Sequence, residues 1–506
     1  MATDPQEIVQ QIRAQFETLL AFVQETSGEP PCAYQMERHL VSRLLELGRT
    51  LLLAFFCAQQ RALEGEAHVT VNGKVLARIG VRPRCVRSVF GKMRFVRSYY
   101  YADKQGYFLL DARLNLPKHS ASDLLREWRL KLACCVPYHR SGALLASVLG
   151  QKSSVRAIEE DLLHDCDNAK TFYDTLQAPE PVSEASILVV QADGKGVPML
   201  TEEPTQERVR LGKGEKRGHK KEAIATAVYT IAPCVRTPEQ VTKSLFEPSA
   251  SANEAPSGAS EATTKRQGPR NKWLWATLTG KAAAVLFAAQ QAQKREGEHI
   301  ASRVALSDGA SPLQYHILKQ LPGFTLILDI IHALEYLWEA ANRVHGEKSP
   351  KRNAWVKERV LAMLSGQTGH IIEEFKTLAS GPTCKKGARQ ALLDAVRYYE
   401  RNLPYMRYDL YLAQGWPIGT GVIEGTCRHL VKDRCELSGM RWSVEGAEAL
   451  LHLRSVAEND DWDLFEAFRQ GQRRKQLYGT ALAGDPTTIE RAAAQAKSVE
   501  AESQAA

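Results

Sequence analysis

Three acids stand where strands end or a helix begins. Asp193 lies in VVQADGKGVPM, Asp308 in VALSDGA, and Glu424 in PIGTGVIEGTCRHLVKDR. An apolar strand that delivers an Asp at its C-terminal end sets a carboxylate at the rim of a sheet, where ligands of open α/β sheets bind. Three such carboxylates brought together can hold two divalent ions about 4 Å apart. Hard oxygen ligands suit Mg²⁺ or Mn²⁺. An ion pair of this kind activates a water or a 3′-hydroxyl on one side and stabilises the leaving oxygen on the other, which is phosphodiester chemistry. Each acid also has a plainer role when taken alone. Asp-Gly after a strand is most often a turn, and a Glu in a first helical turn simply suits the helix dipole.

A second cluster is LILDIIHALEYLWEAA, where Asp329 and His332 are three residues apart and Glu335 and Tyr336 follow. On a helix beginning near Ile330 these groups share one face. That makes Asp329 an alternative metal ligand and His332 a phosphate or water contact. The competing reading is an amphipathic helix with Leu334, Leu337, Trp338 and Ala341 toward a core and the His held by a carboxylate.

Cations gather near these acids. RVRLGKGEKRGHKKEA carries Lys213, Lys216, Arg217, Lys220 and Lys221 and has no nucleotide-binding P-loop pattern. It suits a DNA backbone, or it is a solvated loop. RPRCVRSVFGKMRFVRSYYYADK interleaves Arg84, Arg94 and Arg97 with Phe90, Phe95 and Tyr99 to Tyr101. Alternation on a β-ribbon predicts positive charge on one face and aromatics on the other. Arg428 and Lys432 follow Glu424 at steps of four, which on one α-helix keeps them on its face. Arg434, Arg441 and Trp442 extend the candidate DNA contact, with Trp442 either stacking on a base or packing in a core.

The elements that must position these groups can be read from periodicity. Residues 1–64 read as helices, broken at Pro30-Pro31. Residues 65–116 read as a small basic β-ribbon with a hairpin signal at Asn72-Gly73. Residues 117–180 return to helix. The helix, Gly turn and helix in YHRSGALLASVLGQKSSVRAIEEDLL fit a helix-turn-helix, with Ser153 or Ser154 as cap, although Glu159, Glu160 and Asp161 make a poor base-reading surface. Residues 185–330 carry strands SILVVQADG, AIATAVYTIA, VALS and FTLILD. A Ser-, Ala- and Pro-rich excursion at 247–272 interrupts them. Residues 331–412 read as a helical insertion, 413–478 as the last part of the α/β region, and 479–506 as a mobile tail.

The 506 residues carry a formal net charge of +8, with 44% hydrophobic and 25% charged residues, an ordinary globular composition that excludes a disordered or fibrous chain. Such a mild excess permits a nucleic-acid partner without identifying one. Ten cysteines without C-x-x-C spacing exclude a zinc ribbon or finger and read as reduced thiols. No signal peptide is recognised, and the most apolar run, LLLAFFCA, is too short for a bilayer. A soluble, cytoplasmic protein with no membrane partner is expected.

QADGKGVPM with KKEAIATAVYTIAPCVRTPEQV, ALSDGA, LILDIIHALEYLWEAA, and PIGTGVIEGTCRHLVKDRCELSGMRW with EGAEALLHLRS together span about residues 188–455. In these blocks the chain resembles bacterial insertion-sequence transposases of the ISKra type (the fourth family of that name). FGKMRFVRSYYY and LDARLNLP are similar more weakly. The resemblance implies an RNase H-like α/β core with a mixed sheet, a large all-α insertion, and a mostly helical N-terminal region containing the β-ribbon. It implies a DDE triad of Asp193, Asp308 and Glu424 holding two Mg²⁺ or Mn²⁺ ions. Asp329 and His332 then match a D-x-x-H signature, and Asp329 is the alternative second acid. The implied activity is cleavage at element ends and strand transfer into target DNA. Double-stranded DNA and a homodimer or larger synaptic complex are the implied partners. A nuclease of the same fold and a non-enzymatic DNA-binding derivative are the alternatives. Many relatives carry N-terminal cysteine pairs of metal type, and this chain does not.

Overall fold

A computed structural model describes residues 5–24, 32–71, 74–102, 104–200, 219–247, 267–437 and 439–478. The protein is mixed α/β and divides into two compact units, one of residues 1–172 with 460–506 and one of residues 173–459. Among the described residues no helix is long and apolar enough to cross a membrane.

The first unit begins with helices α1 (Pro5–Gln24) and α2 (Ala33–Arg61). Then comes an antiparallel sheet of β1 (His68–Val71), β2 (Lys74–Ser88), β3 (Gly91–Ala102) and β4 (Gln105–Tyr107), in that spatial order. Val71 faces Lys74, so the expected hairpin register is present although its Asn-Gly turn lies outside the described residues. Phe56 of α2 stacks on Phe95 with ring centroids 4.4 Å apart, over a core of Leu76, Val86, Met93 and Tyr100. The predicted division of the ribbon into a basic and an aromatic face fails at two arginines. Arg84 and Arg97 point inward and both bind Asp111 of α3 (Leu109–Arg113), with Arg97 3.6 Å from the Phe108 ring centroid. Asp111 offsets one of the two guanidinium charges, and the Pro117 carbonyl accepts a further hydrogen bond from Arg84. Arg94 stands with Arg87 and Lys92 on the exposed face.

Three helices follow, α4 (Asp123–Cys135), α5 (Tyr138–Leu149) and α6 (Val155–Thr175). Gly150 ends α5 in a left-handed conformation at φ +65°, and the Ser154 hydroxyl accepts from Ala157 N, the expected cap. The inner face of α6 carries Asp161 and Asp165, which bind the buried Arg126 and Arg129 of α4. Glu159 and Glu160 are exposed on its outer face. Helix α18 (Trp462–Arg473) also joins this unit. Arg469 lies 3.0 Å from Asp165, and Phe465 packs on Phe172. Residues 460–478 were expected to continue the α/β region, but that unit closes at Asn459.

The second unit is built on a five-stranded sheet of β5 (Ile187–Pro198), β6 (Lys220–Ile231), β7 (Arg270–Thr277), β8 (Ser302–Ser307) and β9 (Thr325–Leu328). The spatial order is β7-β6-β5-β8-β9, with β7-β6-β5 antiparallel and β5-β8-β9 parallel. Consecutive residues Ile187 to Ala192 are all buried, so both faces of β5 are covered, which explains its unbroken apolar run. Strand β7 was not foreseen. Its Arg270 to Lys272 fall inside the expected excursion, most of which lies outside the described residues. Trp273 and Trp275 were the available signal. Helix α7 (Pro238–Phe246) was also unread, despite its Thr237/Gln240 capping box.

Helices α8 (Lys281–Gln293) and α9 (Ser311–Gln320) connect the strands. The insertion between β9 and the Gly415 turn comprises α10 (Ile330–His345), α11 (Pro350–Leu364), α12 (Thr368–Ser380), α13 (Lys386–Asn402) and α14 (Tyr408–Ala413). The chain then returns as α15 (Gly421–Thr426), a π-helical turn over Cys427–Lys432, α16 (Asp433–Cys435) and α17 (Val444–Glu458).

In the first unit, burial pushes the Glu466 carboxyl up to about 7 against the pull of Arg469. The folded chain therefore keeps a proton that the unfolded chain releases above the ordinary glutamate pKa. This group's stabilisation is complete below about pH 4.3 and is lost as pH rises through 7. Hydrogen exchange across α18, compared between wild type and Glu466→Gln, tests this. The protection of wild type relative to the variant should fall from pH 5 to pH 8.

Candidate metal centre

The parallel register aligns three of the acids. Gln191 of β5 lies opposite Leu306 of β8, and Ser307 lies opposite Leu328 of β9. Carried two residues past Gln191, the first pairing sets Asp193 beside Asp308. Carried one past Ser307, the second sets Asp308 beside Asp329. The Asp329 N–H still donates to the Ser307 carbonyl at 3.0 Å, so the β8–β9 ladder reaches that level. Asp308 and Asp329 follow the ends of β8 and β9. Asp193 instead lies inside β5, which was expected to end there but runs on to Pro198 paired with β6. The three acids still share one level across adjacent strands.

Asp329 is fully buried and is the N-cap of α10. Its Oδ2 accepts from His332 N at 3.2 Å and from His332 Nδ1 at 2.6 Å, and its Oδ1 accepts from Thr420 N at 3.0 Å. The hydrogen bond to Asp329 raises the His332 pKa to about 9. The imidazole is therefore a cation at neutral pH in this arrangement.

Glu424 comes from a segment that returns after the whole insertion. Gln191, completely buried in β5, donates to the Gly419 carbonyl at 3.3 Å and accepts from Ile423 N at 3.0 Å. Ile330 N donates to the Ile418 carbonyl at 2.9 Å, and the Thr420 hydroxyl donates to Glu424 at 3.2 Å. These bonds fix the Gly415–Gly421 turn against β5 and α10, and α15 presents Glu424 from it. Among the described residues, Asp329, His332 and Glu424 form the one group of three whose ligand atoms all lie within 4.8 Å of one another. The predicted trio of Asp193, Asp308 and Glu424 does not close that tightly. Asp329 and His332, expected as alternative or auxiliary residues, are the ones that close on Glu424 in a group of three.

Asp193 and Asp308 still belong to the same field. Burial raises the Asp193 pKa, the Gly194 N–H at 2.7 Å and the Cys427 thiol oppose the rise, and the Asp308 charge adds to it. Asp308 Oδ1 accepts from Ala310 N at 2.9 Å, and its carbonyl accepts from the Tyr398 hydroxyl at 2.8 Å. Four carboxylates converge, all hard oxygen donors, with the His332 imidazolium held against Asp329 beside them. Oxygen-rich sets of this kind suit Mg²⁺ or Mn²⁺.

The candidate DNA contacts separate into three groups. Lys213, Lys216 and Arg217 lie outside the described residues. Lys220 pairs with Glu436, and Lys221 is partly exposed beside it in β6. Arg428, Lys432 and Arg441 are exposed. The π-helical turn over Cys427–Lys432 is wider than an α turn, so steps of four no longer keep Arg428 and Lys432 under Glu424. Arg434 is the clear correction. It is fully buried, with its guanidinium 4.9 Å from the Trp442 ring centroid and Nη1 3.0 Å from Met440 Sδ. Trp442 is buried too, and its Nε1–H donates to the Cys435 carbonyl at 3.0 Å. Neither meets a strand of DNA, because both hold the segment after Glu424 together. Arg84 and Arg97 are likewise internal partners of Asp111.

Gln191, Thr420, Tyr398 and Arg401 were missed as site residues. A Gln two residues before Asp193, in an otherwise apolar strand, was the one visible signal. Neither the known protein families nor the curated proteins offer a match to this chain.

Gln191→Ala removes both bonds to the returning turn and leaves a peptide N–H and a carbonyl without that partner. It should lower the stability of this unit by about 2–4 kcal/mol in urea unfolding. Mn²⁺ affinity measured by calorimetry should fall as Glu424 loses its placement.

Proposed function

We propose that the chain is a metal-dependent DNA transposase with a DDE-type, RNase H-like catalytic core. The observation that carries this reading is the line of Asp193, Asp308 and Asp329 on adjacent parallel strands, met by Glu424 after a helical insertion. The sheet supports it, since antiparallel β7-β6-β5 joined to parallel β8 and β9 make the mixed sheet that the resemblance implies. The sequence resemblance to ISKra-type transposases is where this reading begins.

Asp193, Asp308 and Glu424 would hold the ions, with Asp329 contributing an oxygen beside Glu424. His332 then serves Asp329, fixing its carboxylate by two hydrogen bonds. Divalent ions bound there would supply Lewis-acid activation of an attacking oxygen and stabilisation of a leaving one. The chain's own residues set the geometry. β5 and β8 fix two acids through the sheet, and Gln191 and Thr420 fix the third. The exposed Arg428, Lys432 and Arg441 and the partly exposed Lys221 lie in the segments adjoining these acids and suit phosphates of duplex DNA.

In the reaction, a water oxygen bonds to phosphorus at the element end, and the P–O bond to the departing 3′-oxygen breaks with proton uptake. That 3′-hydroxyl next loses its proton and attacks a target phosphodiester, forming a new P–O bond as the bond to the target's own 3′-oxygen breaks and that oxygen takes up a proton. Synapsis of two ends suits a dimer or larger assembly acting in the cytoplasm.

Asp193→Ala should abolish Mg²⁺-dependent DNA cleavage while leaving DNA binding measurable. Asp308→Asn should lower cleavage by roughly a hundredfold or more with little change in unfolding midpoint. Cleavage unaffected by Asp193→Ala contradicts the acid assignment. Cleavage of element-end DNA without any joined product identifies a nuclease instead, and binding without cleavage identifies a DNA-binding derivative.

A further inference from the structure

The insertion brings an aromatic pair and an arginine to the acids. On α10, Tyr336 lies one turn beyond His332 on the same face. Its ring stacks on Tyr398 of α13, with centroids 3.9 Å apart and planes 16° from parallel. Tyr398 is buried, and its hydroxyl donates to the Asp308 carbonyl at 2.8 Å. A Cβ at Gly309 would come within 2.6 Å of that hydroxyl, so the loop after β8 is pressed onto the ring. Arg401, three residues on, donates from Nη2 to the Gly309 carbonyl at 3.0 Å, with its guanidinium 5.4 Å from the Tyr398 ring centroid.

Two of these groups remain open to solvent. Tyr336 is 37% exposed, and Arg401 is exposed as well. Tyr398 supports the Tyr336 ring from one side and ties it to the backbone that carries Asp308. Glu335 and the clustered carboxylates repel a bare phosphate, so a nucleotide at this edge needs a cation, and Arg401 supplies one at Asp308–Gly309. An aromatic ring stacks with a nucleobase only where the base is unpaired.

We propose that Tyr336 and Arg401 form a nucleotide subsite for single-stranded DNA beside the acid cluster, with Tyr336 stacking a base and Arg401 holding the neighbouring phosphate. The proposal rests on the DNA-cleaving reading of the acids and adds to it an unpaired strand as the substrate form. It also assigns the insertion a part in binding.

Binding is measured with the full chain in EDTA, using a labelled oligothymidine, the same strand carrying one 2-aminopurine, and a duplex of equal length. Tyr336→Ala should weaken single-strand binding roughly five- to hundredfold, leave duplex binding within about twofold, and abolish the 2-aminopurine quench. Tyr336→Phe should retain binding and quench. Tyr336→Leu, which keeps Tyr398 covered, should lose the quench as the alanine variant does. Arg401→Ala should weaken single-strand binding and lower its salt slope by about 0.7, the release expected for one phosphate on a single strand. Single-strand binding or quench unchanged in Tyr336→Ala overturns the subsite, as does an equal loss on duplex or a wild type that ignores oligothymidine. Mg²⁺-dependent duplex cleavage by wild type, assayed in parallel, separates the two claims. Cleavage with a failed subsite test overturns the subsite alone, and absence of cleavage overturns the catalytic reading.

Discussion

A carboxylate with no solvent exposure organises this site. Removing the Asp329 charge from water costs several kcal/mol unless its oxygens find donors. Two donors are local, from His332 at the start of α10. The third is Thr420 N, which reaches it only after the chain has traversed the whole helical insertion. Satisfying Asp329 and Gln191 therefore draws the Gly415–Gly421 turn onto the rim of the sheet, and the same turn delivers Glu424. Placement of Glu424 is thereby coupled to packing of the insertion, because the insertion's two ends meet at these buried polar groups.

Much of this was legible in residue types. Apolar runs ending in Asp-Gly located β5 and β8, and period-four patterning located α10, because burial imposes those periods on sequence. Asp193, Asp308, Asp329, His332 and Glu424 were all singled out. Their ranking was not legible. Closeness to Glu424 depends on hydrogen bonds between residues some 90 and 230 positions apart, Thr420 to Asp329 and Ile423 to Gln191. Strand β7 was hidden because its basic first residues merge with the polar stretch before it, and α18 because nothing in its sequence announces that it packs on α6.

The cations show why counting charge is a weak guide to partners. Of those singled out, Arg84, Arg97 and Arg434 serve the interior, where guanidinium groups pair with Asp111 or lie over Trp442. A long amphipathic side chain can satisfy a core as readily as a phosphate, and alternation alone does not separate the two. Exposed Arg94, Arg428, Lys432 and Arg441 remain as outward charge. Trp442 follows the same logic, since its ring braces the segment after Glu424. The exposed aromatic near the acids is Tyr336, on the face of α10 that its spacing from Asp329 and His332 suggests.

The acids aligned across adjacent strands and Glu424 of the returning helix are proposed to make one divalent-metal centre. Crystals of the full chain soaked in Mn²⁺ and measured at the manganese absorption edge address it directly. The account predicts anomalous density among the carboxylates of Asp193, Asp308, Asp329 and Glu424. Saturating Mn²⁺ with no density there, or with density only elsewhere on the chain, would contradict it.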